Sequence, residues 1–147
     1  MITNLPYLQS IYYSFIQIFA LNIKTMEKNK ISHNWFAIVN PNAGNGKGRK
    51  DWDRISDILE KNDIRFYVKT TQRKGQATEF TRELIAGGCR KIISIGGDGT
   101  LNEIINGIFT QDHCPPTEIV LSLIPIGTGN DWGRMFGIPL DHKKAID

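Results

Sequence analysis

Cysteine, histidine and blocks of like charge are scarce in this chain, and each shortage closes off a class of function. The 147 residues hold two cysteines, Cys89 and Cys114, 25 positions apart. With no CxxC pair and no secretory spacing they make no disulfide framework, so free thiols in a reducing compartment are expected. His33, His113 and His142 show no metal-ligand spacing. Eighteen Lys and Arg against fifteen Asp and Glu leave a net charge of +3, spread along the chain. That balance agrees with an anionic ligand or a negative membrane surface without requiring either. No Lys/Arg block or aromatic-basic interleaving is present, so nucleic acid is set aside as a partner.

Two familiar nucleotide signatures are also missing. Gly44-Asn45-Gly46-Lys47-Gly48 is too short for G-x-x-x-x-G-K-[ST] and has no hydroxyl after its lysine. Nor does Gly44-x-Gly46 continue into G-x-G-x-x-G, because no third glycine falls in place.

One apolar run of some length stands at the start. Residues 5–23 are mostly apolar and aromatic and carry no charge. A signal peptide is disfavoured, because no Lys or Arg precedes the run and no small-x-small cleavage site follows it. A transmembrane span is disfavoured by Pro6, Gln9, Ser10, Ser14, Gln17 and Asn22. A surface anchor would want lysines along a polar face, and none occurs before Lys24. The expectation is that Met26 is the natural start and residues 1–25 an upstream extension, with a membrane-associating helix as the rival. Residues 1–30 are thus divided off from a nucleotide-binding domain over 31–147.

What is present is one domain's length, with 40% hydrophobic and 22% charged residues, as in a soluble globular protein. Strand and helix patterns alternate from Trp35 onward. Strands are expected over 35–40, 65–70, 92–95 and 119–124, and helices over 49–61, from Ala77 to the Gly87-Gly88 stop, after Gly99, and over 131–136. The fold class is therefore α/β, a Rossmann-like parallel sheet with helices on both faces. Ligands bind such sheets at the carboxyl ends of the strands. Glycine-rich turns stand at three of those ends, over 40–48, 96–100 and 127–131.

The central stretch is Ser94-Ile95-Gly96-Gly97-Asp98-Gly99-Thr100-Leu101-Asn102-Glu103. A strand that breaks into glycines and restarts as a helix leaves bare N–H groups at a helix N-terminus, which suits a phosphate. A second reading stands beside it: Thr100-x-x-Glu103 is a capping box, and both side chains then merely close a helix end.

Four motifs in order then resemble a family. They are Asn40-Pro41-x-Ala43-Gly44, Thr71-x-x-x-Gly75-x-Ala77, Gly96-Gly97-Asp98-Gly99-Thr100-Leu101-Asn102-Glu103 and Pro125-x-Gly127-Thr128-x-Asn130-Asp131. Together they resemble the catalytic domain of the diacylglycerol kinases, in the bacterial lipid-kinase branch related to sphingosine kinases and NAD kinases. The resemblance covers about residues 32–147 and implies an ATP-dependent, Mg²⁺-assisted kinase that phosphorylates a lipid hydroxyl. It implies ATP contacts at Asn40, Pro41, Asn42, Ala43, Gly44, Thr71, Gly97, Asp98, Gly99, Thr100, Leu101, Asn102, Glu103 and Thr128. It also implies a cytoplasmic protein working at the inner face of the membrane. Two alternatives stay open: an NAD-kinase-like enzyme and a non-catalytic nucleotide-binding fragment.

Asp98 is the residue expected to carry chemistry, either orienting the metal or accepting the proton of the attacking hydroxyl. Asn40 and Thr71 offer side-chain hydrogen bonds from two strand ends, or close their own turns as Asx and hydroxyl caps. Asp131 is a second carboxylate or the N-cap of a short helix. Arg134 pairs a phosphate or a neighbouring carboxylate, or is merely solvated. Lys47 and Arg49 steer polyphosphate or form a charged loop. The family's kinases carry a second, β-rich lobe, and this sequence stops at Asp147. The expectation is therefore a nucleotide-binding lobe that turns over poorly by itself, with exposed apolar surface that favours a homodimer.

Overall fold

The structure, a computed structural model, describes residues 34–127 and 129–146. The choice between Met1 and Met26, the apolar run over 5–23 and Thr128 lie outside the described residues. Ten elements follow in chain order. They are β1 (Trp35–Val39), α1 (Ala43–Lys61), β2 (Phe66–Thr70), α2 (Gln76–Ala86), β3 (Lys91–Gly96), α3 (Asp98–Thr110), a 3₁₀ turn (Pro116–Glu118), β4 (Val120–Pro125), α4 (Asp131–Met135) and α5 (His142–Ile146).

All four strands are parallel, in the order β2-β1-β3-β4. The two central strands are apolar at nearly every position because both of their faces are covered. Ala37 pairs with Ile93, and Val39 with Ile95, which in turn pairs with Ile124. That face packs on Ile55 and Leu59 of α1. On the other face Ile38 and Ile92 pack with Ala77, Leu84 and Ile85 of α2 and with Ile104 and Ile108 of α3. The expected doubly covered α/β sheet is what the chain forms.

Edge position explains the last strand. Val120 N–H donates to Arg90 O at 2.8 Å and Ile126 N–H to Gly96 O at 2.8 Å. Alternation then turns the N position of Pro125 outward, where a missing donor breaks no ladder bond.

Two elements differ from the sequence reading. The helix expected from residue 49 begins at Ala43, but Gly44, Asn45 and Gly46 hold φ of 58°, 57° and 85°. These three left-handed residues form an irregular opening that reads as a loop in sequence. The central helix starts at Asp98, two residues ahead of the residue that would cap it in a capping box.

Candidate functional site

The strand order sets where the site lies. From β1 the chain leaves through α1 toward β2; from β3 it leaves through α3 toward β4, on the opposite side. The adjacent β1 and β3 ends therefore open a crevice between diverging connections, where α/β sheets take their ligands.

Asn40 ties the first wall to the second. Its N–H extends the ladder to Ile95 O at 2.9 Å, and its Oδ1 accepts the Asn42 N–H at 3.0 Å, an Asx turn. Its Nδ2 donates across the crevice to Thr100 Oγ1 at 3.1 Å. The Asx-turn reading of Asn40 is thus realised, and its remaining amide group bonds Thr100. Gly48 lets α1 lie directly on the Asn40 carbonyl, a contact that any Cβ would fill.

Gly97 is extended, at φ −94° and ψ −172°, and no side chain caps α3. Thr100 and Leu101 N–H return to Gly97 O at 3.0 and 3.1 Å. The Asp98 and Gly99 N–H groups have no partner among the described residues. The capping box is not formed, and the reason is the early helix start. Glu103 lies six residues past the cap, too far to reach back to it.

Both acidic residues of this stretch act instead on neighbouring helices. Asp98 Oδ2 accepts the Asp131 N–H at 3.1 Å and Oδ1 the Trp132 N–H at 3.3 Å, closing α4. Glu103 Oε1 accepts the Gly75 N–H at 2.8 Å and Oε2 the Ala77 N–H at 3.1 Å, closing α2. At α5 the Asp141 carboxylate accepts the Lys144 N–H at 3.0 Å, which holds its pKa below the usual value. Among α2 to α5, then, α3 is the one whose first N–H groups no carboxylate accepts, its own first-turn Asp98 being turned to α4.

The last loop adds Asn130, left-handed at φ 50° and only 5% exposed. Its Nδ2 donates to Gly127 O at 2.8 Å, and its Oδ1 has no partner among the described residues. Asn130, not Asp131, occupies the cap position of α4, a correction to the capping alternative for Asp131. Asp131 is exposed and pairs with Arg134 at 3.6 Å, so Arg134 has the neighbouring carboxylate as its partner. Thr71 is buried, its hydroxyl donating to Val39 O of β1 at 3.3 Å rather than closing its own turn. Lys47 and Arg49 stand exposed on the first loop.

Two cavities adjoin at this edge. One of about 290 Å³ lies among Ala43, Gly44, Gly97, Asp98, Gly127 and Asn130. The other, about 400 Å³, lies between Gly99 and Thr100 on one side and Thr71, Arg73, Lys74 and Glu103 on the other. Asn40 and Thr100 border both. Pro41 turns toward a third cavity, beside Trp52 and Arg49. Leu101 is buried at 3% exposure and Asn102 pairs with Asn106 at 3.4 Å; neither lines the two cavities.

The diacylglycerol kinase catalytic domain matches residues 34–147 of this chain. The chain belongs to that family. It is 34% identical to a diacylglycerol kinase of Staphylococcus carnosus (strain TM300) over 110 residues, 75% of this chain and 35% of that one. A diacylglycerol kinase of Bacillus subtilis (strain 168) is 35% identical over 111 residues, again 75% of this chain and 35% of the relative. The crystal structure of a diacylglycerol kinase from Bacillus anthracis str. Sterne superposes with a TM-score of 0.65 at 32% identity. That match covers 78% of this chain and 40% of that chain. The chain thus spans about a third of the length of the curated relatives it matches.

Within this kinase domain, sequence reasoning missed Arg73 and Lys74 as crevice residues, and it placed the 127–131 turn at this edge without naming Gly127 or Asn130 as ligand contacts. A polar residue at a left-handed position between glycines was the available signal for Asn130. Arg73 and Lys74 carried none, since their place depends on how α2 docks. Among the described residues no helix is long and apolar enough to cross a membrane.

Proposed function

We propose that this chain is the ATP-binding part of a lipid kinase that transfers the γ-phosphoryl group to a diacylglycerol-like hydroxyl at the cytoplasmic face of a membrane. One observation carries the reading. At the β1/β3 crevice the N-terminus of α3 is open, while those of α2 and α4 are closed by Glu103 and Asp98. The free Asp98 and Gly99 N–H groups and the positive end of the helix dipole favour a polyphosphate there.

Phosphoryl transfer asks mainly for positioning and charge neutralisation. Asn40 and Thr100 hold the two walls at a fixed separation, and Gly44, Gly97 and Gly99 let the phosphates approach bare backbone. Arg73 and Lys74 add cations at the neighbouring cavity. Among the described residues no cluster of three acidic or imidazole groups forms a metal cage. That suits Mg²⁺, which needs only one or two carboxylates alongside substrate phosphates. Asp98 and Asp131 are the carboxylates at this edge, and the ion would neutralise charge on the transferring phosphoryl group. Asp98 orients α4 in every case; its part in proton transfer belongs to the same proposal.

The test is calorimetric titration of Mg-ATP into the purified chain and its Gly97→Val variant. Gly97 has an extended backbone that valine adopts without strain, and an added Cβ meets only Ile126 O at 3.4 Å. The fold should survive, and the side chain should obstruct the phosphate loop, so binding falls about tenfold or more. Absence of binding by the parent chain, or equal binding by the variant, refutes the reading. Phosphorylation of diacylglycerol by the 147-residue chain itself is expected to be weak.

A further inference from the structure

Glu103 stands in the family-like central stretch and borders the 400 Å³ cavity, yet its carboxylate is engaged by the protein itself. Both carboxylate oxygens accept backbone N–H groups of the next helix, from Gly75 at 2.8 Å and Ala77 at 3.1 Å. Its backbone carbonyl takes the Thr78 hydroxyl at 2.8 Å. Three bonds therefore run from one residue of α3 to the first turn of α2.

The segment that these bonds hold is otherwise tied by Thr71 to β1 and by Arg73 to Glu79 of α2. Gly75, the cap of α2, is left-handed at φ 83° and offers no side chain, so α2 has no cap of its own. The turn before it is closed locally, by Gln72 N–H to Gln76 Oε1 at 2.6 Å and Gln76 N–H to Arg73 O at 3.4 Å. That turn carries Thr71, Arg73 and Lys74, the far wall of the 400 Å³ cavity. Deeper in the helix pair, a Cβ on Gly107 would lie 2.5 Å from Thr81 Cβ, so the two helices meet there at closest approach. Glu103 fixes the end of α2 relative to that pivot.

We propose that Glu103 is a positioning residue: with both carboxylate oxygens bonded to α2, it sets the distance between the Thr71–Lys74 wall and α3, and so shapes the space beside the phosphates. Its negative charge also occupies the N-terminus of α2, which disfavours a polyphosphate at that helix end. This inference rests on the nucleotide reading above. It assigns the nucleoside portion of the ligand to the cavity that Glu103 holds open, and the phosphates to the cavity at Gly97.

The experiment compares Mg-ATP with inorganic tripolyphosphate as ligands of the 147-residue chain, using Glu103→Gln and Glu103→Ala. Amide hydrogen exchange at Gly75 and Ala77 is followed in the same samples. Glutamine keeps one acceptor oxygen and alanine keeps none. ATP affinity should fall about tenfold in Glu103→Ala and by less in Glu103→Gln, with exchange at Gly75 and Ala77 rising in the same order. Tripolyphosphate affinity should change less than about twofold, because α3's own N–H groups are untouched. Thr78→Val, which removes only the hydroxyl bond, guards against a variant that simply fails to fold; it should show a smaller shift of the same kind. Equal loss of both ligands in a folded variant overturns the inference, as does loss of ATP with exchange unchanged. Faster exchange with ATP affinity intact overturns it too, leaving Glu103 a purely structural cap. A parent chain that binds neither ligand overturns the nucleotide reading, and this inference with it.

Discussion

Asn40 and Thr100 stand sixty residues apart in the chain, and Asn40 Nδ2 donates to Thr100 Oγ1 across 3.1 Å. The bond spans the ends of β1 and β3, so it records the width of the crevice directly. Thr100 is pressed from behind by Gly96, where a Cβ would lie 2.5 Å from Oγ1 and 2.7 Å from Cβ.

Gly96→Ala should therefore displace Thr100 and release Asn40. Overpacking of this kind costs about 1–3 kcal/mol. The urea midpoint should drop accordingly, and Mg-ATP binding should weaken together with it. Unchanged values for both would contradict the crowding at this position.

Gly107→Ala sets two terms against each other. Alanine gains about 1 kcal/mol in helix propensity. The new methyl meets Thr81 Cβ at 2.5 Å and Thr78 O at 3.0 Å, and backbone oxygen cannot swing aside. Net destabilisation of about 1–2 kcal/mol is expected, read from chemical denaturation. A stabilised variant would mean that α2 and α3 separate readily.

Asp98→Ala removes the acceptor of two N–H groups at the start of α4 and should cost about 1–2 kcal/mol. Asp131→Ala removes only an exposed pair with Arg134, which calls for a change under about 0.5 kcal/mol. Thermal melts of the two variants side by side distinguish them. Equal melting temperatures would show that the Asp98 bonds to α4 are not held in solution.

Cys89 provides a pH signature. Burial raises its thiol pKa from 9.0 to about 11, against the lowering pull of a backbone hydrogen bond from Lys91. Below pH 9 the thiol is neutral in folded and unfolded chains alike, and its contribution is fully present. As pH rises from 9 toward 11 the unfolded chain loses the proton while the folded chain keeps it. Stability then falls, by up to about 3 kcal/mol at the top of the window. Denaturation at pH 8.5 and 10.5 should show this loss in the parent, and a clearly smaller one in Cys89→Ala. Equal losses would assign the effect to other groups.

The positions of the strands were legible from residues such as Ile92, Ile93 and Ile95, because a doubly covered strand writes a continuous apolar run into the sequence. The amphipathic helices were legible for the same reason, through Ile55 with Leu59 and Ile104 with Ile108. The opening of α1 was not, since Gly44-Asn45-Gly46 is loop chemistry used inside a helical segment. Thr100 and Glu103 match a capping box by spacing, and spacing cannot register that Gly97 already starts the helix. The bonds from Asp98 to Asp131 and from Glu103 to Gly75 join positions 33 and 28 residues apart. Such pairings arise from sheet topology, and no local period encodes them.

The carboxylates on α3 also bear on when the crevice comes into being. Each closes a loop of about thirty residues, and parallel strands can pair only after their crossovers are made. Neither wall can be in place until β1, β3 and β4 lie side by side. Nucleotide capture and acquisition of the native state then become one linked equilibrium, so the melting temperature of the chain should climb with ATP concentration.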